Sequence, residues 1–103
     1  DKKMANTFTV LFRGAASTSS TTLYTVPAST TTLVTSVVVT NTAATNATFD
    51  MSLGGVQIAN DVVAPANDSI ILEFKQVMDA TDAIEALASA TAVNFHISGL
   101  EIS

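Results

Sequence analysis

The chain has 103 residues, of which 48% are hydrophobic and only 13% are charged, and its formal net charge is −5. This composition argues against disorder, and four Lys and Arg residues are too few to bind a nucleic-acid backbone or an anionic membrane surface. The absence of cysteine excludes a disulfide framework, a thiolate metal site and a cysteine nucleophile.

The beginning of the chain resembles a natural start that follows a short extra segment. Met4 is followed by Ala-Asn-Thr-Phe, so we interpret residues 1–3 as a cloning remnant. Residues 4–103 have the length of one small domain, and no internal repeat of roughly 20 to 50 residues is visible in them. We therefore predict a single domain over residues 4–103.

Four segments alternate apolar with other residues at a period of two, which is typical of strands with one buried face. In chain order the predicted buried sets are Phe8, Val10 and Phe12; Phe49, Met51 and Leu53; Ile70, Leu72 and Phe74; and Val93, Phe95 and Ile97. The run from Leu33 to Thr40 is apolar on both faces. It predicts a central strand that is covered on both sides, either by this chain or by a partner subunit.

Turn residues separate these runs. Pro27 and Pro65 are expected at strand ends or sheet edges because proline cannot donate to a strand ladder. Gly54-Gly55 predicts a tight turn between two strands. Strand-like runs recur about every 8 to 12 residues, which is typical of a sandwich or barrel. The predicted fold is all-β: an antiparallel β-sandwich, jelly-roll-like or Ig-like, with about eight strands and little or no helix.

One segment is compatible with either a short helix or a strand. In residues 79–90, DATDAIEALASA, either aspartate could cap a helix. Ile84, Ala86 and Ala88 also fit the alternation of a strand. We favour the strand because a single short helix would interrupt an otherwise consistent β pattern.

The chain offers few groups for catalysis. His96 is the only histidine and no Gly-x-Ser-x-Gly elbow is present, so we expect an exposed or interface histidine there. Glu73, Glu85 and Glu101 are the only glutamates, and all fall at predicted solvent-facing positions. With one tyrosine and no tryptophan to stack on sugar, a glycosidase or a lectin is poorly supported. We predict no catalytic residue, no cofactor and no enzyme activity.

A metal site would have to be built from carboxylates, which favour Ca²⁺. The candidates lie in turn-like sequence and are Asp61, Asp68, Asp79 and Asp82. No EF-hand spacing is present, and aspartate in turns usually accepts hydrogen bonds from nearby backbone. We therefore predict no metal site.

Apolar residues on the second face of several predicted strands are candidates for contact with another subunit. They are Leu11, Val34, Val38, Ile71 and Leu87. Such residues either pack inside the same sandwich or form an interface between subunits. The low charge count favours the interface, since obligate interfaces are apolar and depleted of charge.

An ordered set of short motifs resembles a group of small virion proteins of tailed bacteriophages. In chain order the motifs are Tyr24 to Ala28, Val37 to Val39, Asn41-Thr42, Ala66 to Ser69, and Asp79 to Asp82. The similarity covers most of the chain from about Leu23 onward. It implies a β-sandwich module of the head surface, the neck or the tail that has no catalytic activity and packs on other virion proteins.

The resemblance predicts a structural virion protein, most specifically a head-decoration (cement) protein assembled in the bacterial cytoplasm. Its expected partners are further copies of itself, with a trimer as the first guess, and virion proteins such as the major capsid protein. A neck- or tail-associated component is the nearest alternative. A receptor- or glycan-binding tip domain using Tyr24 or the Asp79–Asp82 turn is a second, and a hydrolase using His96 is a third.

Overall fold

The structure is a computed structural model that describes residues 6–103, apart from the side chain of Phe74. The predicted remnant at residues 1–3 lies outside these residues. The described residues form eight strands: β1 Asn6–Ala15, β2 Thr21–Thr25, β3 Thr31–Asn41, β4 Ala47–Leu53, β5 Val56–Ala64, β6 Asp68–Met78, β7 Ala83–Ala88 and β8 Val93–Ile102. Within residues 6–103 no helix is long and apolar enough to cross a membrane.

The strands form two four-stranded sheets that pack face to face. Sheet A has the order β1-β8-β3-β6 and sheet B has the order β2-β7-β4-β5. Every pairing is antiparallel, and the chain changes sheet at each connection except the β4–β5 hairpin. This eight-stranded order is that of a jelly roll. The predicted antiparallel β-sandwich is confirmed, and the jelly-roll alternative holds.

Side chains at alternate positions of β4, β7 and β8 fill the space between the sheets, as predicted. Phe49, Met51, Ile84, Phe95 and Ile97 are all at most 1% exposed. The rings of Phe49 and Phe95, from opposite sheets, meet edge to face with centroids 5.8 Å apart. Such a pair stabilises a core by about 1 kcal/mol beyond its buried area. The segment that could have been a helix is strand β7, so the strand prediction is confirmed.

Strand β3 is central in sheet A, between β8 and β6, as its two-sided apolar sequence predicts. Val34, Val37 and Val39 are fully buried against sheet B. On the neighbouring strand β6, Ile70 and Leu72 pack against this core, in agreement with the prediction. The predicted burial of Phe74 concerns a side chain outside the described part of the structure.

The β4–β5 connection is the predicted tight turn. Gly54 and Gly55 have φ angles of 58° and 83°. Positive φ at both central residues is the requirement of a type I′ hairpin turn, which glycine meets without strain. The turn therefore fixes how β4 and β5 meet at the edge of sheet B.

Strand β1 contains a β-bulge that the sequence alternation did not reveal. Val10 is opposite Ser98 and Phe12 is opposite Ile97, so Leu11 is an extra residue on β1. One extra residue shifts the alternation by one position. In a regular strand Phe8 and Val10 would share a face with Phe12. Because of the bulge they point to the opposite face.

The bulge corrects the predicted buried set of β1. Phe8 is 84% exposed and Val10 is 43% exposed, so the prediction that they face the core is wrong. Phe12 does pack against the core. Leu11 is buried instead and lies over Gly99, where an added Cβ would come within 2.8 Å of the Leu11 Cδ1 atom. The space left by a missing side chain at position 99 thus accommodates Leu11.

Candidate interaction surface

A row of apolar side chains crosses all four strands of sheet A on its outer face. Phe8 on β1 is opposite Leu100 on β8. Leu100 is opposite Leu33 on β3, and Leu33 is opposite Val77 on β6. Directly opposite residues of an antiparallel pair project to the same face. We call these four residues the apolar row.

The apolar row is open to solvent, most of all at its two ends. Phe8 is 84% exposed and Val77 is 66% exposed, whereas Leu33 and Leu100 are partly buried by their neighbours within the sheet. Val10, one position further along β1 on the same face, is 43% exposed. Contiguous apolar surface of this kind marks an interaction site more often than a simple solvent-facing surface.

The rows beyond the apolar row are more polar. In the adjacent row Val10 is opposite Ser98, which is opposite Ser36, and Ser36 is opposite Glu73 on β6. The serines place small hydroxyl side chains at the middle of the face. Glu73 is exposed and places a negative charge at the β6 edge of sheet A.

The third row contains the cation of β1. Arg13 on β1 is opposite His96, which is opposite Val38, and Val38 is opposite Ile71 on β6. Arg13 and His96 are exposed, so His96 is a surface residue as predicted. Arg13 and Glu73 therefore place opposite charges at the two edges of this face, one row apart, and β6 also carries the exposed Lys75.

The five predicted interface residues divide into three groups. Leu11 and Val34 are 7% and 0% exposed and belong to the core of this chain, so the alternative of burial within the sandwich holds for them. Val38, which is partly buried, and Ile71, which is 63% exposed, lie side by side on the outer face of sheet A. Leu87 lies on the outer face of sheet B, away from the other two.

The residues of the apolar row were missed as interface candidates because their face depends on strand pairing. Phe8 was assigned to the core by alternation alone, and the bulge at Leu11 reverses that assignment. Leu33, Leu100 and Val77 are brought together only by the order of β8, β3 and β6. The one signal in the sequence was the two-sided apolar run of β3.

The outer face of sheet B has a different chemistry. Asp50 is opposite Leu87, and Ser52 is opposite Glu85. The Asp50 carboxylate accepts a hydrogen bond of 2.6 Å from the backbone N–H of Asp61, which holds β5 against β4. This face therefore presents two carboxylates and a hydroxyl around Leu87, with the exposed Val63 at its β5 edge. One carboxylate has a structural role.

Two of the four aspartates considered for Ca²⁺, Asp68 and Asp82, accept hydrogen bonds from nearby backbone. The Asp82 carboxylate accepts a 3.0 Å hydrogen bond from the Asp79 N–H, and the Asp82 N–H donates back to the Asp79 carbonyl. The Asp68 carboxylate accepts from the N–H of Ser69. These bonds to nearby backbone match the turn role predicted for them. Among the described residues no three His, Asp or Glu side chains are grouped as metal ligands would be.

A polar cluster lies between the sheets at the end of the sandwich that carries the apolar row. The Tyr24 hydroxyl donates to the Glu101 carboxylate, and it lies 2.9 Å from the Thr32 hydroxyl. Burial, reinforced by the hydrogen bond to Glu101, raises the pKa of Tyr24 to about 12. The partly buried Tyr24 therefore does not supply the exposed loop aromatic that a glycan-binding tip would need.

The same cluster corrects the prediction that Glu101 faces solvent. Glu101 is opposite Thr32, which is fully buried, so both side chains project toward sheet B. Glu73 and Glu85 do lie on outer faces, as predicted. The alternation around Gly99 did not reveal this, because a glycine gives no sign of the face to which its neighbours point.

No protein-family model matches this chain, and no curated protein matches it. The outer face of sheet A is suited to binding. An exposed apolar row on a rigid sheet can bind another apolar surface by removing both from water. Across the strands, His96 is flanked by Arg13 and Val38, and Ser36 and Ser98 lie in the adjacent row.

Proposed function

We propose that this chain is a non-enzymatic structural protein of a tailed-bacteriophage virion, and more specifically a capsid decoration protein that packs on the head surface as an oligomer. The observation that carries the proposal is the exposed apolar row on the outer face of sheet A. A packing protein needs rigid apolar contact surface, whereas monomeric proteins rarely expose large contiguous apolar patches.

Two further observations support the virion assignment. Jelly rolls are a recurrent architecture of viral capsid domains, although a fold alone does not determine a function. The ordered motifs from Tyr24 to Asp82 resemble small virion proteins of tailed bacteriophages. The fold, the motifs and the contact surface all agree with a role in assembly.

Three of the side chains that could act chemically are engaged in hydrogen bonds within the chain. The Tyr24 hydroxyl is bonded to Glu101 between the sheets. The Asp82 carboxylate caps its own turn, and the Asp50 carboxylate holds the backbone of β5. A surface made for packing needs none of these groups, which is consistent with a protein that acts by binding alone.

Co-sedimentation with virion parts tests the proposal. Purified protein is mixed with empty capsids, and separately with tails, of the phage that encodes the chain. We expect saturable binding to capsids at a fixed stoichiometry. Binding to tails alone would replace the decoration role by the tail-associated one, and binding to neither would overturn the virion assignment.

A further inference from the structure

We propose that the outer face of sheet A is covered by the same face of a second copy of this chain, related to the first by a twofold axis parallel to the strands. This inference deepens the proposed function, which includes self-association. Its test uses purified protein without virion parts, so that the two proposals can fail separately.

The apolar row is complementary to itself under this symmetry. A half-turn about an axis that lies between two stacked sheets and runs along the strands exchanges the sheet edges and keeps the position along each strand. It places β1 of one copy over β6 of the other, and β8 over β3. Phe8 then faces Val77 of the second copy, and Leu100 faces Leu33, so the whole row is stacked on itself.

The same operation also brings an opposite charge within reach of Arg13. It brings Arg13 on β1 over β6 of the second copy, at the position of Ile71. Glu73 lies two residues from Ile71, or about 7 Å along a strand, which is within reach of an arginine side chain. In a twofold interface the pair occurs twice. An unrelated apolar partner would not be expected to match both the row and the charges.

The face is large enough for a stable pair. Sheet A has four strands, and its edge strand β1 and its inner strand β8 each have ten residues. At about 4.8 Å between strands and about 3.3 Å per residue the face measures roughly 19 by 33 Å, or about 600 Å² when flat. Protruding side chains raise its accessible area toward the ~800 Å² per partner of a standard interface.

Sheet B is a poorer cover for the apolar row. Its outer face carries the carboxylates of Asp50 and Glu85, which would be taken out of water opposite apolar side chains. A contact of sheet A on sheet B would also be head-to-tail and would leave faces open for further growth. The face-to-face pair closes after two copies and buries the apolar row against itself.

A matched pair of variants tests the surface. Val77→Glu places a charge on the exposed edge of sheet A, and Val63→Glu places one on the exposed edge of sheet B, where Val63 is 50% exposed and opposite Thr48. Molar mass is measured by light scattering and sedimentation over a dilution series, with circular dichroism to confirm folding. The chain mass is 10.6 kDa.

We expect twice the chain mass for the unmodified protein and for Val63→Glu. Val77→Glu should weaken the pair by about a hundredfold, because each pair would bury two uncompensated charges. A monomer at every concentration, a mass of three chains, or equal behaviour of the two variants would overturn the inference. A three-chain mass would favour the trimer expected from the sequence instead.

Reversing the charges of Arg13 and Glu73 tests whether a second copy of the chain covers this face. Arg13→Glu and Glu73→Arg are each expected to weaken the pair about threefold to tenfold, and the double variant is expected to recover most of the loss. A double variant no tighter than the single ones would overturn the pairing. Pairs that fail to bind capsids would contradict only the virion role. Monomers that bind capsids would contradict this inference and the self-association in the proposed function, but not the virion role.

Discussion

The two outer faces of this sandwich differ in where their apolar and charged side chains lie. Sheet A presents the apolar row from Phe8 to Val77. The rows beyond it carry Glu73 and Arg13 at opposite edges of the sheet. Sheet B presents Asp50, Ser52 and Glu85 around the partly buried Leu87, and its exposed apolar side chains lie on the edge strand β5. Both faces belong to one small jelly roll in which only 13% of the residues are charged. Charged side chains are therefore unevenly distributed, and they are fewest at the end of sheet A that carries the apolar row.

The two faces also differ in how the chain holds them. On sheet B the Asp50 carboxylate bonds the Asp61 N–H, so a charged group on this face helps to fix an edge strand. On sheet A the bulge at Leu11 turns an apolar side chain inward and leaves Phe8 outside. The exposure of Phe8 is therefore a direct consequence of how the interior is packed.

The largest effect is expected from breaking the site that accommodates Leu11. In Gly99→Ala the new Cβ would lie 2.5 Å from the Leu33 carbonyl oxygen and 2.8 Å from Leu11 Cδ1, so backbone must shift. Overpacking of this kind lowers the free energy of unfolding by about 3 kcal/mol. Urea unfolding measures the loss, and Ser98→Ala, at the neighbouring outward position, is the control. Equal stability of the two variants would contradict the role of Gly99.

A smaller effect is expected from the polar cluster beneath the apolar row. Tyr24→Phe removes the hydroxyl that donates to Glu101 and leaves that partly buried carboxylate without this donor. We expect a loss of about 1 kcal/mol in the free energy of unfolding. Thr22→Val, on the same strand of sheet B, removes only an exposed hydrogen bond to Glu85 and should have a smaller effect. The reverse order in urea unfolding would contradict the assignment.

The ionisation of Tyr24 gives a pH dependence with a defined sign. Because burial raises its pKa from 10.0 to about 12, the folded state favours the neutral phenol. The associated stability is present below about pH 10 and is lost as the pH rises toward 12. Tyr24 is the only tyrosine and the chain has no tryptophan, so its ultraviolet titration reports this group alone. A native midpoint near 10 would contradict the buried hydrogen bond.

The smallest folding effect is expected on the apolar row itself. Phe8 is 84% exposed, so Phe8→Thr should change the free energy of unfolding of the dissociated chain by no more than about 0.5 kcal/mol. Urea unfolding at high dilution measures this, while association at high concentration should be weakened. A large loss of folding stability would show that Phe8 supports the fold and is not reserved for a partner.

Local sequence pattern was sufficient for much of the fold. The alternation in β4, β7 and β8 placed Phe49, Ile84 and Phe95 in the core correctly, and Gly54-Gly55 located a hairpin. These features depend on near neighbours in the chain. The sandwich class followed from them because strands with one apolar face have to pair and stack.

The features that depend on distant pairing could not be predicted. The bulge at Leu11 requires the register of β1 on β8, and the inward direction of Glu101 requires its pairing with Thr32. The apolar row joins four strands from separate parts of the chain. A period of two divides the residues of a strand between its two faces. Which face is buried depends on the strands and sheets that pack against it.

Nuclear magnetic resonance on dilution tests most directly the central claim that one face is a contact surface and the other is not. Amide and methyl signals are followed from high to low concentration in the unmodified protein. We expect shifts at Leu33, Leu100 and Val77 on sheet A, while signals of Val63 and Leu87 on sheet B stay constant. Shifts centred on sheet B, or no shift anywhere together with a constant monomer mass, would contradict the account.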